Sequence, residues 1–211
     1  MPRASVFQLV LLYGLVSRIS EAPLPIQTIN AMTAMFSAAS DANSASTCGV
    51  GHFRWNVKIF EDADRAQVKL KAVQTTINDL NAVPKPAEPY PANKRIKPWE
   101  LQVYRVRARL KAVLPRAGDG DIHLFLEDPD NPEKHIIAEI PAPECVQDAA
   151  RAEEYRVARK NVSALKPDSL VEVTGLGFFD KVNGLSFVRA RNGMELHPVF
   201  NVRTVRDAEK P

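Results

Sequence analysis

Residues 99–206 predict a mainly β domain: a small closed barrel of five strands with one helix between the third and fourth, preceded by an N-terminal strap. Three observations carry this. Five segments show strand-type patterning, with side chains alternating in character at every second residue, and one intervening segment has helical spacing. The third observation is the run from Pro84 to Pro98, whose five prolines exclude helix and central strand and leave an extended connection ahead of the barrel.

The first strand occupies 99–115. Tyr104, Val106, Ala108, Leu110 and Ala112 fall on one face, and Arg105, Arg107, Arg109 and Lys111 on the other. The segments 121–128 and 134–141 form a hairpin about Asp-Pro-Asp-Asn-Pro. With its turn centred on Asn131, pairing sets His123 opposite Glu139 and Glu127 opposite His135; a slip of one residue would undo both pairs. Residues 147–162 have helical character, and strands return at 170–180 and 194–205. In the fourth strand Gly175 and Gly177 permit a barrel corner or close backbone approach, and Phe178 and Phe179 point to opposite faces. In the fifth, Met194, Leu196 and Phe200 suit the core, while Glu195 and His197 share the other face. Strand, strand, strand, helix, strand, strand is the connectivity of the OB-fold, a Greek-key barrel that binds ligands on its outer face.

Ahead of the barrel, residues 1–47 read as a signal peptide followed by an Ala/Ser-rich leader. Met-Pro-Arg precedes an apolar run from Val6 to Val16, too short to span a bilayer. A disordered N-terminus is the alternative. Residues 48–98 form the strap and its Pro-rich connection, and 207–211 a tail. Within the strap, 53–60 alternates as a strand would, with Phe53, Trp55, Val57 and Ile59 on one face and the Trp55 ring buried against the barrel. Thr76 and Asp79 suit the opening of a short helix over 76–82. Cys48 and Cys145, an even pair in a chain read as exported, point to a disulfide, with two unrelated buried thiols as the alternative. Neither cysteine has the spacing of a zinc site.

Net charge of +3 permits a polyanionic partner without requiring one. The row Arg105, Arg107, Arg109 and Lys111 repeats about every 7 Å along an extended strand, comparable with phosphates on a single-stranded nucleic acid. A solvated face that keeps the strand soluble and blocks edge pairing reads from the same residues, slightly ahead of the track. Candidate chemistry gathers at Asp121, His123, Glu139, Asp180, Glu195 and His197, where imidazole beside carboxylate suits acid–base work or a divalent metal, or merely stabilises a sheet. No Ser-His-Asp set, nucleotide-binding glycine loop or zinc spacing is present.

Gly118-Asp-Gly-Asp-Ile-His-Leu124, Ile137-Ala-Glu-Ile-Pro-Ala-Pro-Glu-Cys145, Gly175-Leu-Gly-Phe-Phe-Asp180 and Asn192-Gly-Met-Glu-Leu-His-Pro-Val199 resemble the motifs of a family of exported bacterial proteins of unknown function. Arg54-Trp-Asn-Val-Lys58 after Cys48 is similar to that family too, so the resemblance spans roughly 48–205. It implies an exported, disulfide-linked domain and brings no activity. Members carry His-Gly-Gln shortly after Phe-Phe-Asp; here Lys181 to Leu185 lack the histidine, so an activity that needs it would be absent.

Three functions follow as expectations. The leading one is an exported, non-catalytic binding module for single-stranded nucleic acid or another polyanion, with no cofactor. The second is a metal-assisted phosphodiester hydrolase using Asp119, Asp121, Glu139 and Asp180 with Arg105 or Arg107 on phosphate. The third is a cell-envelope interaction protein.

Overall fold

The computed structural model describes residues 48–49, 51–114, 119–182 and 188–206. The signal-peptide and leader expectations, the C-terminal tail and most of the stretch that replaces His-Gly-Gln lie outside those residues. In chain order the elements are α1 (Trp55–Lys58), β1 (Lys69–Thr75), α2 (Ile77–Ala82), β2 (Gln102–Leu114), β3 (Ile122–Glu127), β4 (His135–Ile140), α3 (Ala149–Ser163), β5 (Leu170–Phe179) and β6 (Met194–Thr204).

Strands β2 to β6 close into a five-stranded barrel in the order β2-β3-β4-β6-β5, with β5 returning to β2. The 13-residue β2 makes closure possible because it serves two partners: Val103–Arg109 pair with β5, and Arg109–Leu114 with β3. All pairs are antiparallel except the short β4–β6 contact at Ala138 and Leu196. This is the OB-fold connectivity expected, with α3 between β4 and β5. The interior holds Val106, Ala108, Leu110, Leu124, Leu126, Ile136, Ala138, Ile140, Val171, Val173, Leu196 and Val202, the inward-facing set of each strand.

The hairpin register is the one expected: His123 opposes Glu139 and Glu127 opposes His135. In β2 the alternation holds only as far as Leu110. A bulge at Lys111 then pairs Ala112 with the outward Phe125 and brings Val113 opposite the inward Leu124, so Ala112 leaves the core face and Val113 packs against the core. Gly177 is required where it stands, since a Cβ there would lie 2.5 Å from the Trp99 carbonyl oxygen.

The helices close the barrel. Asp148 caps α3 by accepting from the Ala150 and Arg151 amides, and Ala152, Tyr155, Ala158 and Val162 form the buried stripe. Tyr155 stacks on Phe200 of β6 at 6.5 Å. Arg159 donates to the carbonyls of Gly120, Ile140 and Pro141 at the end of the hairpin. In α2 the expected capping box forms between Thr76 and Asp79, and Ile77 and Leu80 enter the core.

The strap departs from expectation in three places. Residues 53–60 are not a strand. Arg54 takes a left-handed conformation (φ 52°) and its carbonyl accepts from the Val57 and Lys58 amides, opening the single turn α1. Tertiary anchoring explains the override. The Arg54 guanidinium meets both oxygens of Glu100 at 2.6 Å and donates to the carbonyls of Pro91, Lys94 and Phe179, while Arg95 reaches the Val57 carbonyl. Trp55 is only half-buried, lying over Gly49 and beside His52, with Val57, Lys58 and Ile59 buried instead. Finally, Lys69–Thr75 adds a parallel edge strand beside β2, whose Leu70 and Val73 are exposed; lacking a buried face, it shows no strand periodicity. Cys48 and Cys145 form the expected disulfide, with Cα atoms 5.3 Å apart, tying the strap to the chain just beyond β4. Among the described residues no helix is long and apolar enough to cross a membrane.

Candidate functional site

Where the strap lies on the barrel, burial stops alternating. In β5 every residue from Gly175 to Phe179 is buried, and in β6 every residue from Met194 to Val199. Side chains that face outward from the barrel here meet α1 rather than water. The result is a polar cluster sandwiched between the outer face of β3, β4, β5 and β6 and the strap.

Glu139, from the middle of the barrel wall on β4, is the hub. Its Oε1 lies 3.4 Å from His123 Nε2 across the hairpin, and its Oε2 lies 2.9 Å from His197 Nδ1 on β6 and 3.5 Å from Lys58 Nζ on α1. His197 Nε2 is 3.2 Å from Asp121 Oδ2, and Lys58 Nζ is 3.7 Å from Asp119 Oδ2. Asp119 and Asp121 are fixed by the turn that opens β3: Asp119 Oδ1 accepts from the Asp121 amide, and Asp121 Oδ1 from the Ala142 amide. At the far side Arg189 bridges Asp180 (3.4 Å) and Glu195 (3.6 Å). Phe178 packs edge-on against His197 at 5.4 Å and under Lys58 at 5.7 Å.

The cluster is closed behind and open in front. The side chains of Asp121 and His197 are fully buried and Glu139 is 1% exposed, whereas Asp119, His123 and Asp180 keep 10%, 14% and 16%. Several buried atoms have no hydrogen-bond partner: Asp121 Oδ2, His123 Nε2, Glu195 Oε2 and both ring nitrogens of His197. The His197 contacts are thus ionic, at ion-pair distances without hydrogen-bond alignment.

Electrostatics follow from this packing. Burial pushes the Lys58 ammonium toward neutrality, but Glu139, Asp180, Glu195 and Asp119 outweigh it and hold its pKa above the ordinary lysine value. Burial likewise opposes the His197 imidazolium, and Glu139 and Asp121 overcome it, pushing the pKa up to about 9. Burial raises Glu139 too, yet Lys58, His123 and His197 bring it well below the usual carboxylate range. Glu195 goes the other way, because burial and the charges of Glu139 and Asp180 outweigh Arg189 and Lys58. Two carboxylates of one cluster are thus pushed in opposite directions by their surroundings. Two sets of ligand atoms lie close enough to hold a metal, Asp119–His123–Glu139 and Asp121–Glu139–His197, each within 4.8 Å of one another.

All six candidate residues read from the sequence, Asp121, His123, Glu139, Asp180, Glu195 and His197, meet here. The second hairpin pair does not: Glu127 and His135, at 3.9 Å, stand apart beside Lys111, 3.8 Å from Glu127. Arg105 and Arg107 lie opposite Thr174 and Glu172 on β5, roughly 13 Å and 20 Å along the strand from Phe178 at about 3.3 Å per residue, so they belong to a separate surface. Sequence reasoning missed Lys58, Arg189 and the Arg54–Glu100 clamp. Arg54 and Lys58 left a signal, as the first and last residues of the Arg-Trp-Asn-Val-Lys segment.

The basic row occupies the outer face of β2, with Arg105 exposed and Arg107, Arg109 and Lys111 half-exposed. Acidic partners thread it. Glu172 lies 3.6 Å from Arg105 and 2.9 Å from Arg203 of β6, Lys111 pairs with Asp168 at 2.7 Å, and Arg109 donates to the Asp168 carbonyl. Strand β1 of the strap pairs edge to edge with β2 at Tyr104–Val106 and α3 packs on β6 and β4, so the side chains of the row keep their exposure.

No family model matches the chain, and no curated protein matches it. Among solved structures it is similar to an aspartyl tRNA synthetase from Entamoeba histolytica, with 18% identity and a TM-score of 0.39. It is also similar to an asparaginyl-tRNA synthetase from the same organism in complex with asparaginyl-adenylate, with 10% identity and a TM-score of 0.37. Each likeness covers 68% of this chain; the matched regions are 23% and 25% of those proteins, so this chain aligns with about a quarter of their length.

Proposed function

We propose that the protein is an exported OB-fold binding module that takes single-stranded nucleic acid, or a polyanion of similar charge spacing, along the outer face of β2. The observation that carries this reading is the open row Arg105, Arg107, Arg109 and Lys111, extended sideways across β5 by Arg203. Five cations face three neighbouring carboxylates, Glu172, Asp168 and Glu127, leaving net positive charge on a strand face with the spacing of an extended phosphate backbone. Aromatic side chains for base stacking are absent from the row, so the expected recognition is of backbone charge rather than base identity. The Cys48–Cys145 disulfide accords with an oxidising compartment outside the cell.

The test is binding of a labelled oligonucleotide, in chelator, across a salt series. Each phosphate neutralised contributes about 0.7 to the slope of log affinity against log salt for a single strand. Arg107→Gln with Arg109→Gln should weaken binding and lower that slope by roughly 1 to 1.5, leaving the melting temperature nearly unchanged because exposed charges contribute little to stability. Wild-type protein without salt-dependent binding, or a double variant with unaltered slope, rejects the proposal.

A further inference from the structure

We propose that a divalent first-row transition-metal ion binds to Asp119, His123 and Glu139 at the open side of the polar cluster. The inference is independent of the polyanion track, which lies on another part of the barrel.

Three features of the cluster support it. The first is the donor set. One imidazole nitrogen and two carboxylate oxygens come from β3, from the turn before it and from β4, and all three ligand atoms lie within 4.8 Å of one another. His123 Nε2 and Glu139 Oε1 are 3.4 Å apart, close to the separation of neighbouring ligands around an ion bound at about 2.0–2.1 Å. Mixed imidazole and carboxylate donors suit first-row transition metals, whereas Ca2+ and Mg2+ take oxygen-rich sites.

The second feature is unmet bonding capacity. His123 Nε2 is out of contact with water and has no hydrogen-bond partner. Behind Glu139, the fully buried His197 has no aligned hydrogen bond at either nitrogen, nor has the Oδ2 of fully buried Asp121. Buried polar atoms left in this state cost free energy, and native proteins pair almost all of them. Here they converge on one carboxylate, whose Oε2 contacts His197 while its Oε1 faces His123. That arrangement orients Glu139 from behind, as outer partners orient metal ligands, with His197 and Asp121 as positioning residues.

The third feature is charge. Four carboxylates, Asp119, Asp121, Glu139 and Asp180, share the cluster with Lys58, Arg189 and His197 among the described residues, so carboxylates outnumber cations even with His197 charged. A divalent cation would offset the remaining negative charge where water cannot. Lys58 touches Asp119 and Glu139 from the strap side, so it competes with the metal for the same oxygens. The partial exposure of Asp119 and His123 provides the entry path.

The experiment uses the untagged full chain, stripped with chelator and dialysed. Calorimetric titration with Zn2+ should give one equivalent bound, and Co2+ should produce a visible ligand-field absorption band that Zn2+ abolishes. Mg2+ and Ca2+ should not compete. His123→Gln and Asp119→Asn should each weaken binding about tenfold or more, with circular dichroism confirming the fold; should one variant fail to fold, the other decides. Lys58→Met should bind more tightly than wild type. A cluster that is only a structural charge network predicts no stoichiometric binding by the wild type, or equal binding by both ligand variants, and either result overturns the proposal.

Discussion

Replacing Arg54 with Met tests how the strap is held over the polar cluster. Arg54 is 3% exposed and Glu100 is fully buried, and they meet through two parallel contacts of 2.6 Å. Glu100 also accepts the Phe179 amide at 2.7 Å and the Ile96 amide at 2.5 Å, so its carboxylate joins the strap, the Pro-rich connection and the end of β5. Arg54→Met keeps an apolar stem and removes the cation, leaving a carboxylate with no route to water. Breaking a buried pair in this way costs about 3–5 kcal/mol. The carbonyls of Pro91, Lys94 and Phe179 lose a donor as well, which places the expected loss in the upper half of that range. For a chain of 211 residues this corresponds to a fall in melting temperature of roughly 10–15 °C. Guanidinium denaturation with the disulfide intact measures it. The companion Arg54→Met/Glu100→Gln removes the orphaned charge while keeping one acceptor for the two amides, and should recover about 1–3 kcal/mol. Hydrogen exchange should also rise at 55–58 in the single variant, because α1 opens at Arg54. A single variant within about 1 kcal/mol of wild type, or a double variant less stable than the single, refutes the reasoning.

Two further outcomes are expected. Cys48→Ser with Cys145→Ser removes a link across a sequence separation of 97 and should lower stability by about 4–5 kcal/mol through loop-closure entropy, read by denaturation of both forms; a loss under about 1 kcal/mol contradicts it. Burial depresses the His135 imidazole below its ordinary value, with Glu127 opposing, so the folded protein binds this proton less readily than the unfolded chain. Its contribution is therefore complete above the unfolded pKa near 6.5 and is lost as pH falls through the folded value; an imidazole resonance titrating above 6.5 contradicts this.

The physical line between what was legible and what was not runs along the strap. Alternation read the strands of the barrel and the inward faces of β3 to β5, because a pleated strand with one wet face writes its burial in every second residue. The same rule placed His123 against Glu139, since the hairpin's turn fixed the register. Capping chemistry placed α2, where Thr76 and Asp79 satisfy each other's backbone amides within four residues.

Those signals are local, and apart from the β2 bulge at Lys111 the failures lie where a distant residue intervenes. The 53–60 segment alternates like a strand but is bent into α1 by Glu100, 46 residues away, and by Arg95. β1 buries neither face and exists because β2 offers an unpaired edge. Glu195 and His197 occupy the outward face of β6, which period two assigns to water, and the strap turns that face into an interior. By itself the sequence determined the barrel, its helix and the residue types of the candidate site. Only the tertiary structure decided that Lys58, Glu139, Glu195 and His197 share one low-dielectric space, because that space is made when a segment with no core of its own is clamped onto a barrel that has one.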